Sequence, residues 1–318
     1  MKDTVEEPLE QRPGDVAEAI WRRADFARPV ERHLEPNVVL RAPETIRQGR
    51  VAVATEALGL LAAFPDQVWH PEDALVWTSR ATRLVAERRV VTARHAGGGL
   101  FGDATGRAVS FRVLSETAMR EGRLVEIWRV SDRAAIVSQL GLSPERWAEA
   151  VLAGRNSGED PFVPSPDVPA VYTGRGETDG WGATWADLVE RAMEGAFGLI
   201  DAQYARGAEL CHPGSSPVYG AAAARTFWLG LRAAFPSARF EVQHAFGLEA
   251  PLMPPRAALR WSLTGSHDGW GAFGAPTGAD VHVMGLSQAE FGPEGVRREW
   301  TLFDPGAVWM QILLGGKG

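Results

Sequence analysis

This chain of 318 residues has almost no cysteine and no long apolar run. Cys211 is the single cysteine, so no internal disulfide can form, and none would be needed in a reducing cytosol. No stretch approaches the roughly 18 apolar residues of a membrane-spanning helix. The amino-terminal residues are polar and acidic and lack the apolar core of a signal peptide. We therefore expect a cytoplasmic protein without a membrane partner.

An excess of positive charge is also missing, which argues against a nucleic-acid partner. Lys and Arg total 33 against 40 Asp and Glu, a formal net charge of -7. A surface that binds nucleic acid needs clustered Lys and Arg to neutralise phosphates, and the chain has no long basic run.

Motifs for metal, phosphate and serine chemistry are absent as well. The seven histidines are scattered without the spacing of a zinc or di-iron site. The glycine run at 97–99 lacks the helix start and the Lys of a phosphate-binding loop, and no Gly-x-Ser-x-Gly motif occurs. We expect no metal and no cofactor. Tryptophan, by contrast, occurs 12 times, and such large flat side chains suggest the walls of cavities or interfaces.

The chain contains one segment twice. The sequence LGLLAAFP at 58–65 returns as LGLRAAFP at 229–236, and later matches follow in the same order at an offset of about 172 residues. These matches pair His95 with His267, Phe101-Gly102 with Phe273-Gly274, Gly122 and Glu126 with Gly295 and Glu299, and Trp128 and Asp132 with Trp300 and Asp304. They predict one domain over 13–142, a helix plus a Pro- and Gly-rich linker over 143–183, and a second domain over 184–314.

Each repeat reads as helices followed by strands. Helices are predicted at 51–64 and 222–235, from Thr184 onward, from near Asp15 in the first repeat, and after Ser143, which has the form of an N-cap followed by proline. Strands are predicted at 87–95, 108–114 and 124–130, and again at 258–267, 280–291 and 296–303. Short glycine-containing gaps suggest hairpins and hence an antiparallel sheet. This order predicts the α+β class, with helices on one face of a curved sheet.

The order of these signals resembles the SnoaL-like polyketide cyclase family, within the nuclear-transport-factor-two-like cone fold. The residues that carry the resemblance are the Ala-Ala-Phe-Pro helix ends, His95-Ala96-Gly97 and His267-Asp268-Gly269, the Phe-Gly and Thr-Gly pairs that follow, and Glu126-Ile127-Trp128 and Glu299-Trp300 with their later Asp residues. The resemblance implies two tandem cone-shaped α+β barrels, each with a mouth for a small apolar molecule. It also implies sheet-to-sheet dimerisation, which two repeats can satisfy internally as a pseudo-dimer, and further homo-oligomerisation stays open.

The catalytic residues of the family do not carry over. The resemblance places the acid position at Arg129 and Thr301, and the assisting histidine position at Ser115 and Ser287. Neither repeat keeps the acid and histidine pair.

Four other residues are candidates for acid/base catalysis. Glu126 and Glu299 lie beside Trp, and an apolar pocket would raise the pKa of such a carboxyl; an interface or surface position is the alternative. His95 and His267 lie at strand ends beside glycine, where each is a general base or a hydrogen-bonding residue that holds the turn. Asp132 and Asp304 close the last strand and are expected to cap the following helix.

Seven further side chains are candidates for substrate binding. These are Arg112, Trp128, Trp228, Trp261, His282, Trp300 and Tyr219. Arg112 suits a carboxylate or enolate oxygen, with a cross-strand salt bridge to an acid such as Glu126 as the alternative. Plain core packing is the alternative for each Trp. Tyr219 and His212 flank the loop at 213–217, which is a candidate cavity mouth.

Two functional hypotheses follow. The first is a protein that binds a small, largely apolar organic molecule in a cone pocket; if it is an enzyme, it uses cofactor-free acid/base chemistry, such as cyclisation, isomerisation or hydration next to a carbonyl. The second is a non-catalytic small-molecule-binding or interaction protein in which one repeat is purely structural. The absence of the family's acid from both copies favours the second hypothesis. The sequence leaves open which repeat carries the pocket.

Overall fold

The structure is a computed structural model that describes residues 29–79, 82–154, 161–165, 167–214 and 216–316. The first repeat contains α1 (Pro29–His33), β1 (Leu34–Ala42), β2 (Thr45–Gln48), α2 (Arg50–Ala63), β3 (Val68–Ser79), β4 (Thr82–Arg94), β5 (Ala108–Arg120), β6 (Arg123–Ser131) and α3 (Arg133–Leu140). Helix α4 (Pro144–Ala153) follows. The helix predicted from near Asp15 lies outside the described residues.

The second repeat has a closely similar element order. It contains α5 (Gly180–Met193), α6 (Gly198–Gln203), β7 (Tyr204–Cys211), β8 (Val218–Tyr219), α7 (Ala221–Ala234), β9 (Arg239–Leu248), β10 (Arg256–Ser266), β11 (Asp280–Gly292), β12 (Gly295–Leu302) and α8 (Pro305–Gly315). The apolar run from Thr184 is not one helix, because the chain turns at Gly195 with φ 108° after α5 ends.

Each repeat folds its strands into one six-stranded sheet, and the two sheets have the same strand order. The orders are β2-β1-β6-β5-β4-β3 and β8-β7-β12-β11-β10-β9. The expectation of a purely antiparallel sheet is wrong at one place in each repeat, since β1 pairs with β6 in parallel and β7 pairs with β12 in parallel. The antiparallel strands between them form the long crossover that a parallel pair requires. We call the units around these sheets the first cone and the second cone.

Polar caps define several helix starts, as the sequence predicts. The Asp132 carboxylate accepts a hydrogen bond from the Ala135 amide at the start of α3. Asp304 does the same for the Gly306 amide at the start of α8. The Ser143 hydroxyl accepts from the Arg146 amide at the start of α4, which confirms the predicted N-cap. Such caps satisfy amides that have no partner within the helix.

The two sheets pack face to face, so the chain forms an internal pseudo-dimer. Alternate residues of each strand face the interior of their own cone and the other repeat. Apolar side chains from both repeats meet at the interface, among them Leu114 and Trp128 from the first and Met284 and Leu302 from the second. The contact joins equivalent surfaces, as in a two-fold dimer.

Equivalent arginines reach across this interface in opposite directions. The Arg88 guanidinium stacks on Trp300 at 3.4 Å from the ring centre, and Arg260 stacks on Trp128 at 3.6 Å. Each also meets a polar residue at the same sheet position of the other repeat: Arg88 donates to Gln288 (2.6 Å), and Arg260 Nε lies 3.1 Å from a Glu116 oxygen. The reciprocity shows that the pseudo-symmetry extends to side chains.

Helix α8 and the segment after α4 tie the two halves together. Val308 and Ile312 of α8 join the core of the second cone, whereas Ala307 and Met310 join the core of the first. The Phe162 amide donates to the Pro43 carbonyl, so the connecting segment lies against the first repeat at this point.

Candidate functional site

The first cone encloses a cavity of about 320 Å³ between α2 and the end of β6. Its apolar wall comes from α2, from the loop after β4 and from α3, with Leu60, Leu100, Phe101 and Ile136 as its large side chains. Its polar wall is formed by Glu44, Arg47, Thr55, Glu56, Arg129, Ser131 and Arg133. An apolar surface opposite a few convergent polar groups is the usual form of a small-molecule site.

Charged side chains pair closely on the polar wall. Arg133 donates to Glu44 Oε1 at 2.7 Å, and Arg129 Nη2 lies 3.6 Å from Glu56 Oε1 and 3.9 Å from Glu44 Oε1. Burial lowers the pKa of Arg129, but a guanidinium titrates so high that it stays charged at neutral pH. This wall therefore contains three guanidinium groups, of Arg47, Arg129 and Arg133, and two carboxylates, of Glu44 and Glu56.

Asp304 of the second repeat also reaches this cluster. Its Oδ2 lies 3.9 Å from Arg133 Nε. Burial raises the pKa of Asp304 to about 7, a rise that the Arg133 charge opposes and the Glu44 charge reinforces. A carboxyl group that titrates near neutrality thus touches the edge of the first cone's polar wall.

The interior of the second cone contains closely packed aromatic side chains in the same region, with their rings tilted or edge-to-face. Trp228 lies 5.7 Å from Trp261, and Trp261 lies 6.4 Å from Phe303, measured between ring centres. The equivalent positions in the first cone, by helix length and sheet register, are Ala57, Arg89 and Ser131. Trp228 and Trp261 are therefore core residues rather than walls of an open pocket.

The sequence match of Glu126 with Glu299 is wrong, as the sheet register shows. Glu126 lies opposite Ala118 in the first sheet, whereas Glu299 lies opposite Ala289, the counterpart of Thr117. The counterpart of Glu299 is therefore Ile127. Because a shift of one residue turns a strand side chain to the other face, the two glutamates point in opposite directions.

Glu126 lies at the interface between the repeats. Its side chain is buried and its Oε1 is 3.1 Å from Arg41 Nη1. This is the interface position that the sequence left as the alternative to a cavity carboxylate.

Glu299 points into the second cone, where its two oxygens accept from or pair with three side chains. Tyr204 donates to one oxygen (2.7 Å); Thr301 donates to the other (2.6 Å), which also lies 3.3 Å from His212 Nε2. Burial favours the protonated form, yet His212 and these hydrogen bonds hold the pKa of Glu299 below its usual range. The raised pKa expected for Glu299 is thus wrong.

The hydrogen-bond network continues through Thr301 and Ser287, the two positions that the resemblance assigns to the catalytic acid and its assisting histidine. Thr301 Oγ1 is 2.9 Å from Ser287 Oγ, which accepts from Trp261 Nε1 at 2.9 Å. Sequence reasoning noted His212 only as a loop neighbour and missed its contact with Glu299. Nothing in the spacing of two residues so far apart could have revealed that pair, since β7 and β12 become neighbours only in the folded sheet.

His95 and His267 occupy equivalent, fully buried positions at the ends of β4 and β10. Their Nδ1 atoms lie 3.2 Å and 3.1 Å from the hydroxyls of Thr105 and Thr277. Each histidine also donates its backbone amide across the glycine-containing turn, to Arg107 and to Ala279. The structure brings neither histidine within hydrogen-bonding distance of Glu126 or Glu299.

The remaining candidates for substrate binding are dispersed. Arg112 forms a two-pronged pair with Glu72 (2.7 and 2.9 Å), not with Glu126, and Trp300 lies under Arg88 at the interface. Tyr219 on β8 is largely exposed. Trp128 and His282 lie together on a separate cavity between the repeats.

Two negative findings hold for the described part of the chain. None of its helices has the length and apolar character to cross a membrane. Within the same residues, no group of three or more His, Cys, Asp or Glu side chains is placed to hold a metal ion.

Two cones with one strand order and a cavity at the mouth of the first define a tandem protein of the nuclear-transport-factor-two-like class. The family model for the SnoaL-like polyketide cyclase matches residues 15–140 and again 186–312. The chain therefore belongs to the SnoaL-like polyketide cyclase family, with two copies of its domain.

Solved structures similar to this chain each match about one copy. Wild-type IdmH from Streptomyces antibioticus is 24% identical and covers 41% of this chain and 99% of its own, with a TM-score of 0.34. AclR from Streptomyces galilaeus is 27% identical over 40% of this chain and 89% of its own, with a TM-score of 0.33. TsrD from Streptomyces laurentii is 18% identical over 42% and 94%, with a TM-score of 0.36. No curated protein matches the chain.

Proposed function

We propose that the first cone binds a small, largely apolar organic molecule that carries a carbonyl or carboxylate oxygen. The observation that supports this is the difference between the two interiors. The first cone has a cavity of about 320 Å³ with Arg129 on its wall, whereas the second has Thr301 and packed aromatic rings at the equivalent place. The second cone then acts as the filled partner that completes the interface.

The polar wall also suits acid/base chemistry without a cofactor. Arg129 is placed to hold an oxygen that gains negative charge, as in an enolate. Glu56 is the less tightly held of the two carboxylates and so the better placed proton acceptor, because its pairs with Arg47 and Arg129 are both 3.6 Å long, whereas Glu44 accepts from Arg133 at 2.7 Å. Proton abstraction next to a carbonyl, followed by isomerisation or cyclisation, is the reaction class that this arrangement favours.

The test is recovery of a bound metabolite from the purified full chain by extraction and mass spectrometry, followed by titration with fluorescent 1-hydroxy-2-naphthoate. Gly59 and Gly230 supply matched variants, since they hold the same position in α2 and α7. A Cβ on Gly59 meets nothing within 4 Å and Gly59 lines the cavity. We expect Gly59→Met to weaken binding at least about tenfold, and Gly230→Met to leave it unchanged.

Arg129→Met provides the second arm of this experiment. Loss of the guanidinium should weaken binding of the naphthoate by about tenfold or more, because a charged hydrogen-bonding partner is removed from a buried wall. Retention of the ligand by both Gly59→Met and Arg129→Met at wild-type affinity would place it elsewhere and contradict the proposal.

A further inference from the structure

A second cavity, of about 500 Å³, lies between the two repeats and outside both cones. The two sheets form its floor and sides through Trp128 of β6, Arg260 of β10 and Met284 of β11. The described parts of the connecting segment, 162–165 and 167–175, cover it and contribute Phe162 and Tyr172. Two of the side chains that the sequence singled out for ligand binding, Trp128 and His282, therefore meet here, although they belong to different repeats.

Arg260 presents an unused guanidinium edge to this cavity. Its side chain is only 6% exposed, its plane stacks on Trp128, and its Nε lies 3.1 Å from Glu116. Within the described residues, neither of its terminal nitrogens donates a hydrogen bond to the protein, and the side chain lines the cavity. A buried guanidinium with two parallel donors directed at an open space is suited to a carboxylate.

The other charges around the cavity are already paired. Arg41 uses all three nitrogens, on Glu126 (3.1 Å), Asp167 (2.7 Å) and the carbonyl of Val168 (3.0 Å), and so fastens the covering segment to the first sheet.

The acids at the rim each have an arginine of their own. Glu190 pairs with Arg175, and Glu241 lies 3.2 Å from Arg239. Burial lowers the pKa of His282 to about 4, so this histidine is neutral at pH 7 and adds no charge. Arg260 is thus the cation whose donors face the cavity without a protein acceptor among the described residues.

On the pseudo-symmetric side of the interface, the equivalent arginine has different partners. There, Arg88 donates from Nη1 to Gln288 at 2.6 Å and from Nε to Glu72 at 3.0 Å, so one of its terminal nitrogens already has a protein acceptor. Arg112 fills the adjoining space and also binds Glu72. The counterpart of Arg112 in the second repeat is Met284, whose side chain is uncharged and shorter than that of arginine.

We propose that the cavity between the repeats is a binding site for a small aromatic carboxylate, distinct from the pocket of the first cone. The carboxylate would take the two terminal nitrogens of Arg260. The ring would lie among Trp128, Phe162, Tyr172 and Met284, which supply apolar and aromatic contact. Both repeats and the connecting segment contribute, so the site exists only in the fused chain.

The experiment is a ligand-observed ¹⁹F NMR titration of the full chain with 4-fluorobenzoate, with 4-fluorobenzylammonium as the probe of opposite charge. We expect saturable binding of the benzoate and binding of the ammonium weaker by at least about tenfold. Arg260→Met should weaken the benzoate by about tenfold or more. Arg88→Met removes the equivalent stacked arginine and should leave the benzoate affinity within about twofold of wild type.

A second variant keeps the test valid if Arg260→Met fails to fold. Thr173 is exposed at the rim of the cavity, so Thr173→Trp should obstruct entry without disturbing the buried ion pairs. It should reduce benzoate binding as Arg260→Met does, while Gly59→Met in the first cone should not. The proposal is overturned if 4-fluorobenzoate does not bind, if both probes bind equally, or if only Gly59→Met weakens binding.

Discussion

The first and second cones share strand order and ladder register but differ in what occupies their interiors. Where α2 has Ala57, α7 has Trp228, and where β6 has Ser131, the second cone has Phe303. The backbone thus fixes a shell of similar shape in both, and the side chains on its inner face decide whether the shell holds a cavity or a packed core.

Filling the second cone required changes on facing strands. Gly285 lies opposite Trp261, and a Cβ at Gly285 would stand 2.1 Å from an atom of the Trp261 ring. The first cone has Val113 and Arg89 at these two positions. A large ring on one strand was therefore accommodated by the loss of a side chain on the next, because a core cannot simply be overpacked.

The largest effect is expected when the second cone is hollowed. Trp228→Ala installs the residue of the first cone at a fully buried position. It should lower the free energy of unfolding by about 3–5 kcal/mol, through lost burial and the cavity left behind. Denaturant unfolding followed by circular dichroism measures this, with Trp228→Phe as a milder control. A loss below about 1 kcal/mol would mean that this interior is not tightly packed.

A pH-dependent effect of somewhat smaller size is expected at Asp304, which joins the second repeat to the polar wall of the first. Burial raises its pKa to about 7, so the folded protein holds this proton more tightly than the unfolded chain. Its contribution to stability is complete below about pH 4 and is lost as the pH rises through 7. Asp304→Asn has no carboxyl group to ionise, so the variant should not lose stability as the pH rises through 7.

The measurement for Asp304→Asn is unfolding from pH 4 to pH 8. Relative to wild type, the variant should gain about 1–4 kcal/mol across this range, since three units of pKa correspond to about 4 kcal/mol before relaxation. Parallel stability profiles for the variant and the wild type would contradict the buried position of this carboxyl.

Glu299 sharpens the comparison further, because its counterpart in the first cone is Ile127. Glu299→Gln removes a buried charge from Tyr204, Thr301 and His212, and should cost about 1.5–3 kcal/mol at pH 7. Because the pKa of Glu299 is lowered by folding, its stabilisation exists above the unfolded value of about 4.3 and is lost as the pH falls through the folded value.

A double-mutant cycle with Tyr204→Phe tests the network around Glu299. We expect a coupling free energy of at least about 0.5 kcal/mol between the two substitutions, because one hydrogen bond joins their side chains. Strict additivity would show that this hydrogen bond does not contribute to stability.

The smallest effect is expected where the cones are equal. Gly59→Ala and Gly230→Ala replace the same interior helix position, with open space at one Cβ and an ordinary contact of 3.9 Å at the other. Each should stabilise the protein by about 0.5–1 kcal/mol through higher helix propensity. A destabilising result in one repeat alone would mean that the two helices are less equivalent than their backbones indicate.

Patterns local in sequence predicted the fold well. The duplication, the paired helices, and the capping roles of Asp132, Asp304 and Ser143 are all confirmed. Three strands of each repeat, β1–β3 and β7–β9, were missed. Among them, β1 and β7 lack a clean alternation, and each pairs in parallel with a strand that is distant in sequence.

Site geometry was less accessible from sequence, for a specific physical reason. Both repeats have the same register irregularity near the start of the last strand, so equivalent residues keep one constant offset along it. Matching identical letters departed from that offset by one residue and paired Glu126 with Glu299, whose side chains point to opposite faces. Trp228 and Trp261, which the sequence offered as pocket walls, pack in the core of the second cone, whereas Trp128 and Trp300 lie at the interface. This distribution depends on facing residues such as Gly285, which are distant in sequence.

The connecting segment joins the two repeats covalently, and the ion pair between Arg41 and Asp167 holds it against the first sheet. The two repeats are therefore always present in equal number and next to each other. In an assembly of identical subunits, any substitution appears in both copies at once, so a change that closes one pocket closes the other. In a fused pair, each copy mutates independently. A single covalent connection therefore allows one repeat to fill its interior with side chains while the other repeat keeps a cavity.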